Sequence, residues 1–225
     1  MDTYRYGKDW DPTRHYRDES VARGYDHVRF SGFAGRVFNF LDREAVRRAL
    51  ADLPAGSLIG DLPCGTGRLA EVALEMGFRV HGMDVSPAML AVARRRLARF
   101  GNRFTAGTGD ILALRGRPRF DAVLSARFLM HFPPERQRAL VRALAAASRG
   151  RVVLTQGIDT RFHRLRRKVK SWTGWFQNPA AFPVSDAALA EILGAAGLRE
   201  IRRHAVLPGM SEAVAIVAEK IRRRR

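Results

Sequence analysis

The stretch SLIGDLPCGTGRLA, residues 57–70, decides the fold. It opens as a short apolar strand, Ser57–Leu62. It then passes through a turn punctuated by Gly65 and Gly67 into a helix that should run to about Met76. Glycine in such a turn lets the backbone approach a ligand closely, and the helix start behind it presents N–H groups without intrahelical partners. Residues 65–70 fit the pattern G-x-G-x-x-A of nucleotide-binding turns, a weak signal when alone. Asp84 strengthens it. It closes the next strand, Phe78–Met83, 19 positions after Gly65, where a carboxylate is expected to take ribose hydroxyls. A ribose-containing cofactor follows from that spacing.

Outward from this stretch, strand and helix alternate. Pro87 suits the first turn of a helix reaching about Arg99. Asn102–Ala106 and Phe120–Ser125 read as the third and fourth strands. Pro133-Pro134 opens a helix to Ser148 with Gly150 as its stop, and Arg151–Gln156 is the fifth strand. This order predicts an α/β, Rossmann-like, doubly wound and mainly parallel sheet, with ligands beyond the C-terminal strand ends. A helix at Asp186–Ala196 and strands at Leu198–Val206 and Ala213–Glu219, joined across Pro208-Gly209, complete seven strands with an antiparallel C-terminal hairpin. Residues 30–53 read as a helix, whereas residues 1–25 are polar, tyrosine-rich and weakly patterned. Residues 1–54 are taken as an N-terminal helical lid segment and 55–225 as the cofactor-binding domain.

A chain of 225 residues suits one domain. Lys and Arg number 40 against 22 Asp and Glu, a formal net charge of +18. Such a surface draws nucleic acid, anionic lipid or phosphorylated substrates, although the arginine and alanine bias of a GC-rich genome would produce much of the same excess. The single cysteine, Cys64, excludes an intrachain disulfide. The first residues lack the apolar core of a signal peptide, and no apolar run reaches the ~18 residues of a membrane span. The expectation is a cytoplasmic protein whose membrane contact, if any, is peripheral at the inner face.

Asp61–Gly67 resembles motif I of the class I S-adenosylmethionine-dependent methyltransferases, D-x-G-x-G-x-G, with Pro63 in place of the first glycine. Val80–Ser86 resembles motif II, whose acid holds the ribose diol. Gly109-Asp110-Ile111 is similar to the segment whose acid meets the adenine amino group, and Phe120–Ser125 is similar to motif IV. The resemblance covers about residues 55–158 and 185–220. It implies an enzyme that binds S-adenosylmethionine through Asp61, Pro63, Cys64, Gly65, Gly67, Asp84, Val85, Asp110, Ile111 and Ser125. Charge supports that cofactor over a dinucleotide, because Asp61 attracts an ammonium group and repels a pyrophosphate. Cys64 need only be small, and Asp121 suits positioning of the fourth strand better than chemistry.

In this fold the acceptor lies past strand four, so Ser125–His131 should face it. His131 is the candidate general base; the alternative is a histidine packed at a helix start. The segment resembles that of the ubiquinone-biosynthesis O-methyltransferases, whose metal-binding glutamates correspond to Arg127 and Met130, so no metal is expected. Arg127 points to an anionic acceptor or to a surface ion pair. Tyr25, Arg29 and Phe30 are candidates from the N-terminal segment. An insertion at about 159–184 sets Phe162, Leu165, Val169, Trp172 and Phe176 at helical steps among Arg161, Arg164, Arg166, Arg167, Lys168 and Lys170. Such a stripe lies in a membrane interface, packs as a lid, or, third, meets RNA. The resulting reading is a methyltransferase acting on a small molecule, with O-methylation of an anionic or lipid-linked acceptor. Its rivals are a nucleic-acid methyltransferase, a nicotinamide-dependent oxidoreductase and a non-catalytic basic scaffold at the membrane. The first lacks an appended RNA-binding module and an Asn/Asp-Pro-Pro-Tyr motif, and Asp61 opposes the second.

Overall fold

A computed structural model describes residues 19–159, 182, 184–206 and 213–221; the Phe162–Phe176 stripe and the Pro208-Gly209 turn lie outside them. The strands are β1 Leu58–Asp61, β2 Arg79–Asp84, β3 Phe104–Thr108, β4 Phe120–Ala126, β5 Ser148–Gly157, β6 Leu198–Ala205 and β7 Ala213–Lys220. They form one sheet in the order β3-β2-β1-β4-β5-β7-β6. Pairs among β1–β5 are parallel, and β7 is antiparallel to both β5 and β6. The chain winds outward from β1 to β3 and then returns to β4 on the other side of β1. That reversal opens a crevice over the C-terminal ends of β1 and β4.

The helices are α1 Glu19–Phe30, α2 Phe33–Leu50, α3 Arg68–Glu75, α4 Pro87–Leu97, α5 Pro134–Ala147 and α6 Asp186–Ala195. Side chains alternate along a strand, so β5 sends Val152 and Leu154 to one face and Val153 to the other. Val153 joins Val46 and Leu50 of α2, Leu69 and Val72 of α3 and Leu97 of α4. Val152 and Leu154 join Leu140, Val141 and Leu144 of α5 and Ile192 and Leu193 of α6. Each such aliphatic contributes roughly 1.5–3 kcal/mol on full burial, which makes the sheet a stiff platform for the crevice.

The helix expected over residues 30–53 begins at Phe33 and ends at Leu50, and one further local expectation, at Gly150, is corrected. Residues 19–30 form a helix where the apolar pattern is weak, and its fastening is polar. The Asp26 carboxylate accepts from Thr66 Oγ1 at 3.1 Å and pairs with Arg96. Gly150 is not a helix stop, because α5 ends at Ala147 and Ser148 begins β5 directly. Phe120 pairs with Ser148 and Ala122 with Arg151, so two residues of β5 oppose one of β4 and Gly150 sits in this irregularity.

Candidate active site

Asp61 ends β1, Asp84 ends β2 and Ala126 ends β4, which brings all three to one edge of the sheet. The β1–α3 turn passes through Gly65 at φ 52° and Gly67 at φ 77°, left-handed conformations that favour glycine. Asp84 holds this turn. Its Oδ2 accepts from Gly65 N at 2.9 Å and its Oδ1 from Ser86 N at 2.9 Å. Gly67 has another task. A Cβ there would come within 2.8 Å of Leu97 Cδ1 and 3.1 Å of Ala93 Cβ, so its missing side chain seats the turn on α4.

Asp61 is only 2% exposed, and its Oδ2 has no hydrogen-bond partner among the described residues. Burial, and next the charge of Asp84, push its carboxyl up to about 8. Burial also raises the Asp84 carboxyl above its usual range. Two buried acids on the wall of one cavity, one with an oxygen that has no partner among the described residues, fit a ligand that brings an ammonium group and a diol. They disfavour a pyrophosphate. Burial pushes the Cys64 thiol well up, which disfavours its thiolate form.

One cavity joins the two halves of the expected site. Asp61, Pro63, Cys64, Gly65, Asp84, Val85, Asp110 and Ile111 line it together with Tyr25, Arg127 and His131. Gly67 and Ser125 do not line it; Ser125 is buried, with an Oγ that has no partner among the described residues. The Arg29 side chain lies outside the description, and Phe30 is buried beneath the Arg68 guanidinium, 4.7 Å from its ring centroid. Asp121 accepts from Leu58 N at 2.8 Å, tying β4 to the start of β1, and that bond chiefly holds its carboxyl below the usual range.

The sequence reading missed other cavity residues. Thr66, Arg68, Leu69 and Met89 line the end near Asp61 and Asp84, and Phe128, Phe132, Arg136 and Leu140 line the end near His131. Phe128 and Phe132 flank His131 in the same short stretch, and continuing that stretch one turn into α5 reaches Arg136. Arg127 is held at φ 53°, rare for a residue with a side chain, by its N–H donating to Thr155 O at 2.9 Å. Its guanidinium lies 4.8 Å from the Phe38 ring centroid. Strained backbone of this kind concentrates at functional sites.

Residues 59–150 match a family model described as a methyltransferase domain, Methyltransf_25. The protein is an S-adenosylmethionine-dependent methyltransferase. The methyltransferase is 29% identical over 198 residues to magnesium-protoporphyrin O-methyltransferase from Synechocystis, covering 79% of this chain and 83% of that protein. It is 27% identical over 135 residues to a ubiquinone biosynthesis O-methyltransferase from Stutzerimonas stutzeri, covering 53% of this chain and 57% of that one. The fold superposes on the crystal structure of magnesium protoporphyrin IX methyltransferase from Synechocystis with bound SAH. The TM-score is 0.73 and the identity 23%, over 91% of this chain and 98% of that one. Among the methyltransferase's described residues, no group of three His, Cys, Asp or Glu side chains could hold a metal ion, and no helix is long and apolar enough to cross a membrane.

Proposed function

We propose that the enzyme methylates an oxygen atom of a flat, anionic small molecule. The far end of the cavity carries this reading. There Phe128 and Phe132 meet edge to face with centroids 4.8 Å apart, and Arg136 lies 4.6 Å from the Phe132 centroid. Arg127 stands at the same wall. Rings beside two guanidiniums suit a conjugated molecule bearing a carboxylate or phenolate. The relatives named for magnesium-protoporphyrin and ubiquinone biosynthesis agree with such an acceptor.

S-adenosylmethionine supplies, when bound, an electrophilic methyl group on a sulfonium. Asp61 would hold its ammonium, Asp84 its ribose hydroxyls and Asp110 its adenine amino group, with Val85, Met89 and Ile111 supplying apolar contact. Arg127 and Arg136 then hold the acceptor's negative charge, and alignment supplies much of the acceleration. His131 takes the proton of a hydroxyl acceptor; a carboxylate arrives already ionised. Transfer of labelled methyl to a panel of a metalloporphyrin carboxylate, a catechol precursor of a quinone and a polynucleotide tests the reading. Product from either small molecule is expected, and methylation of the polynucleotide alone overturns it.

Residues 1–54 are read as a segment closing over the cofactor, supported by Tyr25 on the cavity wall. The charge of +18 and the stripe from Phe162 to Phe176 support a cytoplasmic enzyme in peripheral contact with an anionic membrane. Wild type should cosediment with anionic vesicles at low salt, and Trp172→Ala should weaken this. Absence of binding rejects the contact.

A further inference from the structure

We infer that Gln137 is a positioning residue for the acceptor side of the site. The inference rests on the reading that the acceptor lies against the His131 turn. Gln137 stands in the first turn of α5, and its own N–H donates to Pro133 O at 3.0 Å. It is 2% exposed and does not line the cavity. Its face of α5 otherwise presents Leu140, Val141 and Leu144 to the core, and an amide there is costly unless its hydrogen bonds are made.

They are made to three carbonyls. Gln137 Nε2 lies 3.1 Å from Leu129 O, 2.9 Å from Phe132 O and 3.1 Å from Phe182 O. Three acceptors around one atom fix the amide's orientation, because an oxygen there would bring no proton. With two N–H groups for three carbonyls, one proton is shared. Leu129 and Phe132 bracket the 3₁₀ turn Leu129–His131, which carries His131 onto the cavity wall. Phe182 comes from the chain returning toward α6. Its N–H donates to Met130 O at 2.6 Å, and nearby Asp159 N donates to Val184 O at 2.9 Å. One buried amide therefore joins α5, the acceptor wall and the point where the chain returns from the connection after β5. Without it, the single-turn 3₁₀ helix that carries His131 loses its tie to α5, and its weak internal bonds bear more of the load.

Two variants test this. Gln137→Met keeps length and removes the donor. Gln137→Glu keeps shape but places a carboxylate before three carbonyls, and its protonated form restores one donor. SAH affinity is read by calorimetry and backbone order by hydrogen exchange. SAH affinity should stay within about twofold of wild type, while exchange at residues 129–132 and 182 should quicken by about tenfold, the loss expected for one such hydrogen bond. In Gln137→Glu the ratio to wild-type exchange should shrink as pH falls below the new carboxyl's pKa; in Gln137→Met it should not. With the panel member that wild type accepts, the KM for acceptor should rise and that for S-adenosylmethionine should not. Unchanged exchange overturns the inference, as does loosening spread equally over α3 and β2 with SAH affinity lost in parallel. A panel with no accepted member counts only against the acceptor reading, since exchange and calorimetry still decide the role of Gln137.

Discussion

With the Asp61 carboxyl pushed up to about 8, the proposed hold of Asp61 on the cofactor's ammonium group should make binding release a proton. The carboxyl's unfolded value is about 3.9. An acid raised on folding disfavours its ionised form in the native state, so the ligand-free enzyme should lose stability as pH climbs from about 4 to about 8. An ammonium ligand needs the ionised carboxylate. Below pH 8, affinity for S-adenosylmethionine should therefore fall about tenfold per pH unit, with about one proton released on binding. Calorimetry at pH 6.5 in two buffers of different ionisation enthalpy measures that proton, and a dissociation constant flat from pH 6 to 8 contradicts the assignment. His131→Ala should lower turnover of a hydroxyl acceptor by about 10²–10⁴ and leave SAH binding alone. With a carboxylate acceptor the drop should be only a few-fold, because no proton has to leave. At this scale Asp84 was legible from its spacing to the glycine turn, and Asp61 from the resemblance of that turn to a methyltransferase motif. Asp61 and Asp84 stand where strands stop, and a strand's end is visible in the chain. Phe132, Arg136 and Gln137 were not, because what brings them to the site is the angle at which α5 leaves its 3₁₀ turn.

Helix α1 shows what apolar periodicity leaves out. Ala22 and Phe30 are buried, but the contacts that hold α1 to the cofactor turn are ionic and hydrogen-bonded. Asp26 takes Thr66 Oγ1 and Arg96, and Arg96 also donates to Thr66 O at 3.1 Å. A hydrophobic pattern carries no trace of such a latch. Asp26→Ala leaves Arg96 half-satisfied and frees α1 from the turn. SAH should then dissociate about tenfold faster, a change equivalent to one charged hydrogen bond. Stopped-flow displacement measures it, and wild-type release should quicken with salt whereas the variant's should not. An unchanged release rate would show that α1 packs beside the cofactor turn without restraining it.

Across the whole molecule, the order of the last two strands could have been read more closely. β7, AVAIVAEK, buries Val214 through Ala218 on both faces, whereas β6, LREIRRHA, is mostly exposed and rich in arginine. A continuously apolar strand belongs inside a sheet and a charged one at its edge, so β7 had to sit between β5 and β6. The alternation that revealed the parallel half says nothing of this, because a hairpin can attach by either strand.

That strand order also bears on how the protein is made. Synthesis delivers β6 before β7, yet β6 has no neighbour in the sheet until β7 arrives. When Val206 leaves the ribosome, every described residue that lines the cavity already exists, but β5 still presents an open edge with Val152, Val153 and Leu154 beside it. Pairing across such sequence separation is slow, and exposed edges of this kind aggregate. A chain ended at Val206 should therefore be protease-sensitive and fail to bind SAH, which limited proteolysis and calorimetry would show. Assembly of the cavity should thus wait on a strand that contributes no residue to its wall.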